Sequence, residues 1–164
     1  MQIASLKDLY IAELQELISV ETQLAEALPR LAEVASHTTL KKALMQQGND
    51  TEIQKERLIA IVHEHGADPL AHTDQAMQAL LTETGKMVAM LNDTDILDAG
   101  LIASMQKVAH YEMAAFGTAA ALAGQLGLRE EQAMLHSSLE EERHADRILT
   151  LLAKRDVNPN AMAA

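Results

Sequence analysis

Almost nothing in this chain interrupts a helix. Three prolines and seven glycines are spread over 164 residues, so turns are few and the elements between them must be long. Apolar residues in the unpunctuated stretches recur at three- and four-residue steps, the spacing that gathers side chains on one face of a helix. Aromatic residues make up only 2% of the sequence, which leaves Leu, Ala, Ile and Met to fill the interior. That mixture suits helices, and the residue types that favour sheets are scarce. With 48% apolar residues, one domain of this length buries a real core, and disorder is excluded.

The spacing predicts long helices over about Ser5–Ser36, Thr38–His65, Asp95–Leu126 and Glu130–Lys154, and a shorter one over about Asp74–Leu91. Ser5 is the expected N-cap of the first, with Asp8 three residues on. Its inner stripe reads Leu14, Leu17, Ile18, Leu24, Ala25 and Leu28, and Pro29 kinks or tightens its end. Gly66 is the natural stop of the second helix. The third long helix carries Ile96, Leu101, Ile102, Met105, Val108 and Phe116. Methionines such as Met45, Met87, Met105 and Met134 read as core filler, and the tail after Pro159 as loose.

Short turns join the first two long helices, and likewise the last two, as antiparallel hairpins. The stretch between the pairs, with its extra short helix, is a crossover. The architecture this implies is a single domain over residues 1–164, a four-helix bundle with one long crossover connection.

Composition also excludes functions. The formal net charge is -11, which repels a nucleic-acid backbone, and no Arg/Lys stripe offsets it. The absence of Cys removes disulfides and thiolate metal sites. No apolar run approaches the roughly 20 residues that span a bilayer. Met1 to Asp8 lacks the basic and apolar regions of a secretory leader, so a cytoplasmic location is expected, with no membrane partner.

The residues that carry chemistry are the polar ones standing where core residues should. A buried carboxylate is costly unless it is paired or bound to a cation. Glu21 interrupts the inner stripe of the first helix at its middle, and Glu112 sits four residues after Val108 and four before Phe116. Glu13 and Glu16 lie off the stripe and read as solvated, and His63 and His65 read as solvent-facing near a helix C-terminus. On the last helix Glu141 lies three residues after Ser138 and seven before Ile148, and His144 follows it by three, so the two reach the same side. Glu-x-x-His on one helix, with single Glu residues from others, is the pattern of a carboxylate-bridged metal site in a bundle. Oxygen ligands plus an imidazole suit iron, manganese or zinc. Taken singly, an inward Glu is more often solvated or salt-bridged, and the run Glu140 to Glu142 is usually a solvated face. The coincidence of Glu21, Glu112, Glu141 and His144 at one mid-helix level is what raises the metal reading.

The chain resembles the ferritin-like superfamily, and more closely the YciE/YciF family of bacterial stress-associated proteins. The matching stretches are Leu6-Lys7-Asp8-Leu9, Val20-Glu21-Thr22-Gln23-Leu24, Thr51-Glu52-Ile53-Gln54-Lys55-Glu56-Arg57-Leu58, Gln106-Lys107-Val108-Ala109-His110-Tyr111-Glu112 with Phe116-Gly117-Thr118, and Leu139-Glu140-Glu141-Glu142-Arg143. Nearly the whole chain is covered. The resemblance implies a ferritin-like fold and homodimers, and carries di-iron ligand positions onto Glu21, Glu112, Glu141 and His144. The second helix departs from that pattern: Thr51-Glu52-Ile53-Gln54 stands where a di-iron protein has Glu-x-x-His. Gln54 offers a neutral amide oxygen and Asp50 stands beside it, and Ala109 stands where the family often has Glu. Two ions would want about four carboxylates, so one ion is expected rather than two. A large ferritin shell is not expected.

Two functions follow. One is a metal-binding, stress-related protein with iron or peroxide redox chemistry, whose ligands are drawn from Glu21, Asp50, Gln54, Glu112, Glu141 and His144. The other is a non-catalytic structural or interaction protein on the same scaffold with a decayed site. Contact between a metal and Thr51 or Gln54 separates them. A homodimer is expected on either reading; Leu9, Val20 and Leu31 form a flanking line that is either apolar surface a monomer would leave wet or a widening of the core face.

Overall fold

The computed structural model describes residues 3–164; Met1 and Gln2, where the leader reading begins, lie outside the described residues. The chain is all-helical, with α1 Leu6–Val34, α2 Thr38–Glu64, α3 Gln75–Met90, α4 Thr94–Gln125, α5 Arg129–Leu152, a π-helical turn Ala153–Val157 and α6 Asn158–Ala163. No strand occurs among the described residues. No helix among them is long and apolar enough to cross a membrane.

Local chemistry sets the ends. Ser5 and Asp8 form a reciprocal capping box: Asp8 N–H donates to Ser5 Oγ at 3.1 Å and Ser5 N–H to Asp8 Oδ2 at 2.9 Å. Pro29 is accommodated inside α1, which runs on to Val34, where Ala35 turns extended (ψ 132°). α2 stops at Gly66 and α4 at Gly127, whose φ values of 67° and 75° lie in the left-handed region that glycine tolerates. Asp74 caps α3 through Met77 N–H at 2.6 Å, and Asp93 caps α4. The tail read as loose is helical: Pro159 sits in the first turn of α6, where its missing N–H is no loss.

The α1–α2 turn is pinned from a distance. Asp98 of α4 is 1% exposed, and its carboxylate accepts from Ser36 N–H (2.9 Å), Ser36 Oγ (2.6 Å) and His37 N–H (2.8 Å). It therefore caps the start of α2, where His37 supplies no side-chain cap of its own.

α1 packs against α2 and α4, α5 against α4 and α2, and α3 lies on α4 and α1. The apolar interior between the four long helices is divided in two. One cluster holds Val20, Leu24, Leu28, Leu40, Leu44, Leu101, Met105, Val108 and Leu149. The other holds Tyr10, Leu14, Ile18, Leu58, Ile61, Phe116, Leu135 and Leu139. Val20 is buried and Leu31 packs on the first cluster, so this line widens the chain's own core. Of the methionines read as filler, Met105 is buried, while Met45, Met87 and Met134 are exposed.

Candidate functional site

Glu21 lies between Ile18 and Leu24 on α1, Glu112 between Val108 and Phe116 on α4, and Glu142 between Leu139 and Leu149 on α5. Each stands where its helix passes from one apolar cluster to the other. α2 contributes Gln47, Thr51 and Gln54 in the gap between Leu44 and Leu58. The result is a polar layer across the middle of the core. Glu21, Glu112 and Gln54 are fully buried, and Glu142 is 2% exposed.

The layer is under-satisfied. Gln54 Nε2 donates to Glu142 Oε1 at 3.0 Å. No donor from outside the layer reaches either oxygen of Glu21, either of Glu112 or Oε2 of Glu142, and Gln54 Oε1 and Gln47 Nε2 are likewise unpartnered. Within the layer Glu21 neighbours the Thr51 hydroxyl and Glu112, and Glu112 neighbours Glu142, close enough for protonated carboxyls to bond one another. Buried polar atoms are nearly always paired, so this concentration in one layer calls for a physical reason. Burial pushes the Glu21 carboxyl well above the usual carboxylate range, and the charge of Glu142 pushes it further. Glu112 is raised in the same way, by burial first and then by the charges of Glu142 and Glu21. Glu142 is pushed up to about 7 by burial, against the opposing pull of the Gln54 amide. With nothing bound, the layer favours protons on its carboxyls. With a cation between them, the same oxygens become a hard, all-oxygen donor set.

Sequence spacing placed Glu21, Gln54 and Glu112 where the structure brings them together. It misplaced the α5 ligands. Glu141 is half-exposed, held by Arg57 at 2.9 Å and by Gln54 Nε2 at 3.0 Å. His144 is exposed, and lies two residues, about 200° of helical rotation, from Glu142. Asp50 is half-exposed and accepts from Gln46 at 2.9 Å. Spacing from Ser138 and Ile148 puts Glu141 on the inner face, but Ile148 is exposed. The stripe runs instead through Leu135, Ser138, Leu139, Glu142 and Leu149, and the Leu135–Leu139–Glu142 spacing was the signal for Glu142. Among the described residues, no group of three or more His, Cys, Asp or Glu side chains could hold a metal ion as it stands.

A second polar cluster was not visible in the sequence. Tyr10 Oη donates to Glu131 Oε2 at 2.7 Å, and His65 Nε2 lies 3.0 Å from the same oxygen. The Tyr10 and His65 rings meet edge-on, with centroids 5.9 Å apart. His65, read as solvent-facing, is turned inward because Glu131 gives its ring a buried partner.

The comparisons with known proteins agree with this architecture. The family model described as "Domain of unknown function (DUF892)" matches residues 5–162. Protein YciF of Escherichia coli (strain K12) is 36% identical over 162 residues, 98% of each chain. The crystal structure of that E. coli stress protein superposes with a TM-score of 0.90 over 95% of this chain and 99% of the other. YcfI of Rhodopseudomonas palustris, for which a structural role has been put forward, superposes with a TM-score of 0.87 at 31% identity, over 91% of this chain and 95% of that one.

Proposed function

The chain belongs to the DUF892 family, with the stress protein YciF among its relatives, and on that premise we propose that it is a stress-linked protein that holds one hard divalent cation, iron(II) or manganese, in the core of a ferritin-like four-helix bundle. The observation that carries this reading is the set of five carboxylate oxygens on Glu21, Glu112 and Glu142 that no donor from outside the layer reaches, inside an otherwise apolar interior. Two apolar walls around three carboxyls make a poor structural network, since a half-satisfied polar layer is less stable than leucine in its place. A cation drawn among them would satisfy the oxygens and offset their repulsion. Glu21, Glu112 and Glu142 would hold it, with Gln54 Oε1 and Thr51 Oγ1 as neutral donors. With His144 exposed the donors of this reading are all oxygen, a set that suits manganese better than zinc, while iron(II) enters through the ferritin-like resemblance. Three carboxylates match one ion better than two. When bound, such an ion supplies one-electron redox chemistry toward peroxide or dioxygen. The chain's own residues would keep the site dry and orient the donors; ligation requires the three carboxyls to turn toward a common centre.

The test is elemental analysis of protein purified without chelator or metal-affinity resin, beside Glu112→Ala/Glu142→Ala and Glu141→Ala variants. About one iron or manganese per chain is expected in the wild type and in Glu141→Ala, and none in the double variant. A wild type that is metal-free and takes up neither iron(II) nor manganese(II) on titration defeats the reading.

One observation favours a second reading, a non-catalytic scaffold. Gln54 already ties α2 to α5 by donating to Glu141 and Glu142, and no metal cluster stands ready-made among the described residues. On that reading the carboxyls carry protons and metal analysis finds nothing. The homodimer is a separate proposal, supported by exposed Met45 and Ile53 on α2 and tested by light scattering.

A further inference from the structure

Just outside the carboxylate layer, between α2 and α5, lies a cleft of about 100 Å³ lined by Gln47, Asp50, Glu141, His144 and Leu149 among others. Three features bear on it, one on its wall and two beside it, reached through Glu141, which lines the cleft. Gln47 on its wall is 5% exposed, and its amide Nε2 meets no partner. Gln54 connects outside to inside, because its Nε2 lies 3.0 Å from half-exposed Glu141 and 3.0 Å from buried Glu142. Arg57 closes the seam by a weak hold. Its Nη1 alone reaches both Glu141 oxygens, at 2.9 Å each, and touches Ser138 Oγ at 3.4 Å.

The strong form of an Arg–carboxylate pair uses two guanidinium nitrogens in a fork. A one-nitrogen clamp between side chains 33% and 35% exposed belongs to the class that contributes little and opens readily. Other approaches to the layer are less open to a cation. Along the helix axes the two apolar clusters close it. Toward the α1–α2 side stands Lys55, which is paired with Glu52 and whose charge acts on Glu21. On the α2–α5 side Asp50 and Glu141 both act on Glu142 as negative charges, and carboxylates at the mouth of a cleft raise the local cation concentration.

We propose that the α2–α5 cleft is the port through which a divalent cation reaches Glu142, with Arg57 as its latch. The proposal rests on the metal reading above. Asp50 and Glu141 draw the cation to the mouth, Arg57 releases Glu141, and the Gln54 side chain turns aside to admit the ion to the layer. Arg57 is a positioning residue and touches nothing in the layer itself.

The chain has no cysteine, so a single introduced thiol reports access without any metal. In Glu142→Cys, a cationic methanethiosulfonate reagent is expected to label faster than an anionic one of similar size. Adding Arg57→Ala is expected to raise the cationic rate about fivefold, the population change expected from removing a half-exposed ion pair. Phe116→Cys, inside the neighbouring apolar cluster, is expected to stay slow in both backgrounds. Equal rates with and without Arg57 in folded protein overturn the latch. A matching acceleration at Phe116→Cys overturns the port, since it reports general loosening. If Glu142→Cys does not fold, Gln54→Cys carries the same comparison. Manganese(II) uptake by the cysteine-free proteins separates the two claims: Arg57→Ala should load faster to an unchanged final stoichiometry. A wild type that takes up no manganese(II) sinks the metal reading and removes the cation as passenger, whatever the labelling rates.

Discussion

Two buried carboxylate sites in this molecule have opposite characters. Asp98 is 1% exposed, and its two oxygens accept from two backbone N–H groups and a hydroxyl. Glu21, Glu112 and Glu142 are as deeply buried, and five of their six oxygens accept from no N–H group. Burial is common to both, so burial alone does not mark a functional site. What separates them is whether the surrounding chain supplies donors. Asp98 is surrounded by the turn it holds, whereas the three glutamates are surrounded by one another, by apolar side chains and by the few polar groups of α2, Gln47, Thr51 and Gln54.

That contrast can be broken by experiment. The largest effect is expected at Asp98, where Asp98→Ala should lower unfolding free energy by about 3 kcal/mol, because it strips the cap from α2 and orphans its donors. Urea denaturation reads this directly, and a loss below about 1 kcal/mol would show that the turn is held by packing instead.

Next in size is a pH dependence of the metal-free protein. Glu142 is raised in the folded state to about 7 from an ordinary 4.5, so the folded state binds more protons than the unfolded one between those values. Stability therefore falls as pH rises through this window, by about 2 kcal/mol between pH 5 and 8 from Glu142 alone. Glu21 and Glu112, shifted in the same direction, steepen the slope. Flat stability over that range would mean the carboxyls have partners, and the contrast with Asp98 would vanish.

A smaller effect of opposite sign to that at Asp98 is expected from Glu112→Leu, which should stabilise the metal-free chain by about 1 kcal/mol. Destabilisation there would assign the layer a structural role. The smallest effect belongs to the seam: Glu141→Ala should change stability by less than about 1 kcal/mol, since its pair with Arg57 is half-exposed.

The sequence disclosed these features unevenly, for physical reasons. Glu21 and Glu112 were legible because leucine, isoleucine, valine or phenylalanine flank them at three- and four-residue steps, which fixes the helical phase. Thr51 and Gln54 were legible by the same spacing from Leu44 and Leu58. α5 was harder, because Glu140, Glu141 and Glu142 are consecutive and a single misjudged apolar residue, Ile148, turns the helix by one position. Asp98 and the Tyr10–Glu131–His65 cluster were not legible at all. Their partners are 61 to 121 residues away in the chain, and no local period encodes a contact of that range.

The division of the apolar core by the polar layer also bears on how the chain finds its alignment. Each hairpin joins its helices locally, through Ala35–His37 or through Leu126–Leu128, and local contacts of this kind form early. The layer draws on both hairpins, so it exists only when they meet at matching height. A slide by one turn would carry each carboxyl about 5.4 Å along its axis, out of its own layer and into leucine and phenylalanine. Greasy surfaces alone would tolerate that slip; three buried acids do not, and so they act as a ruler that sets the two halves in register.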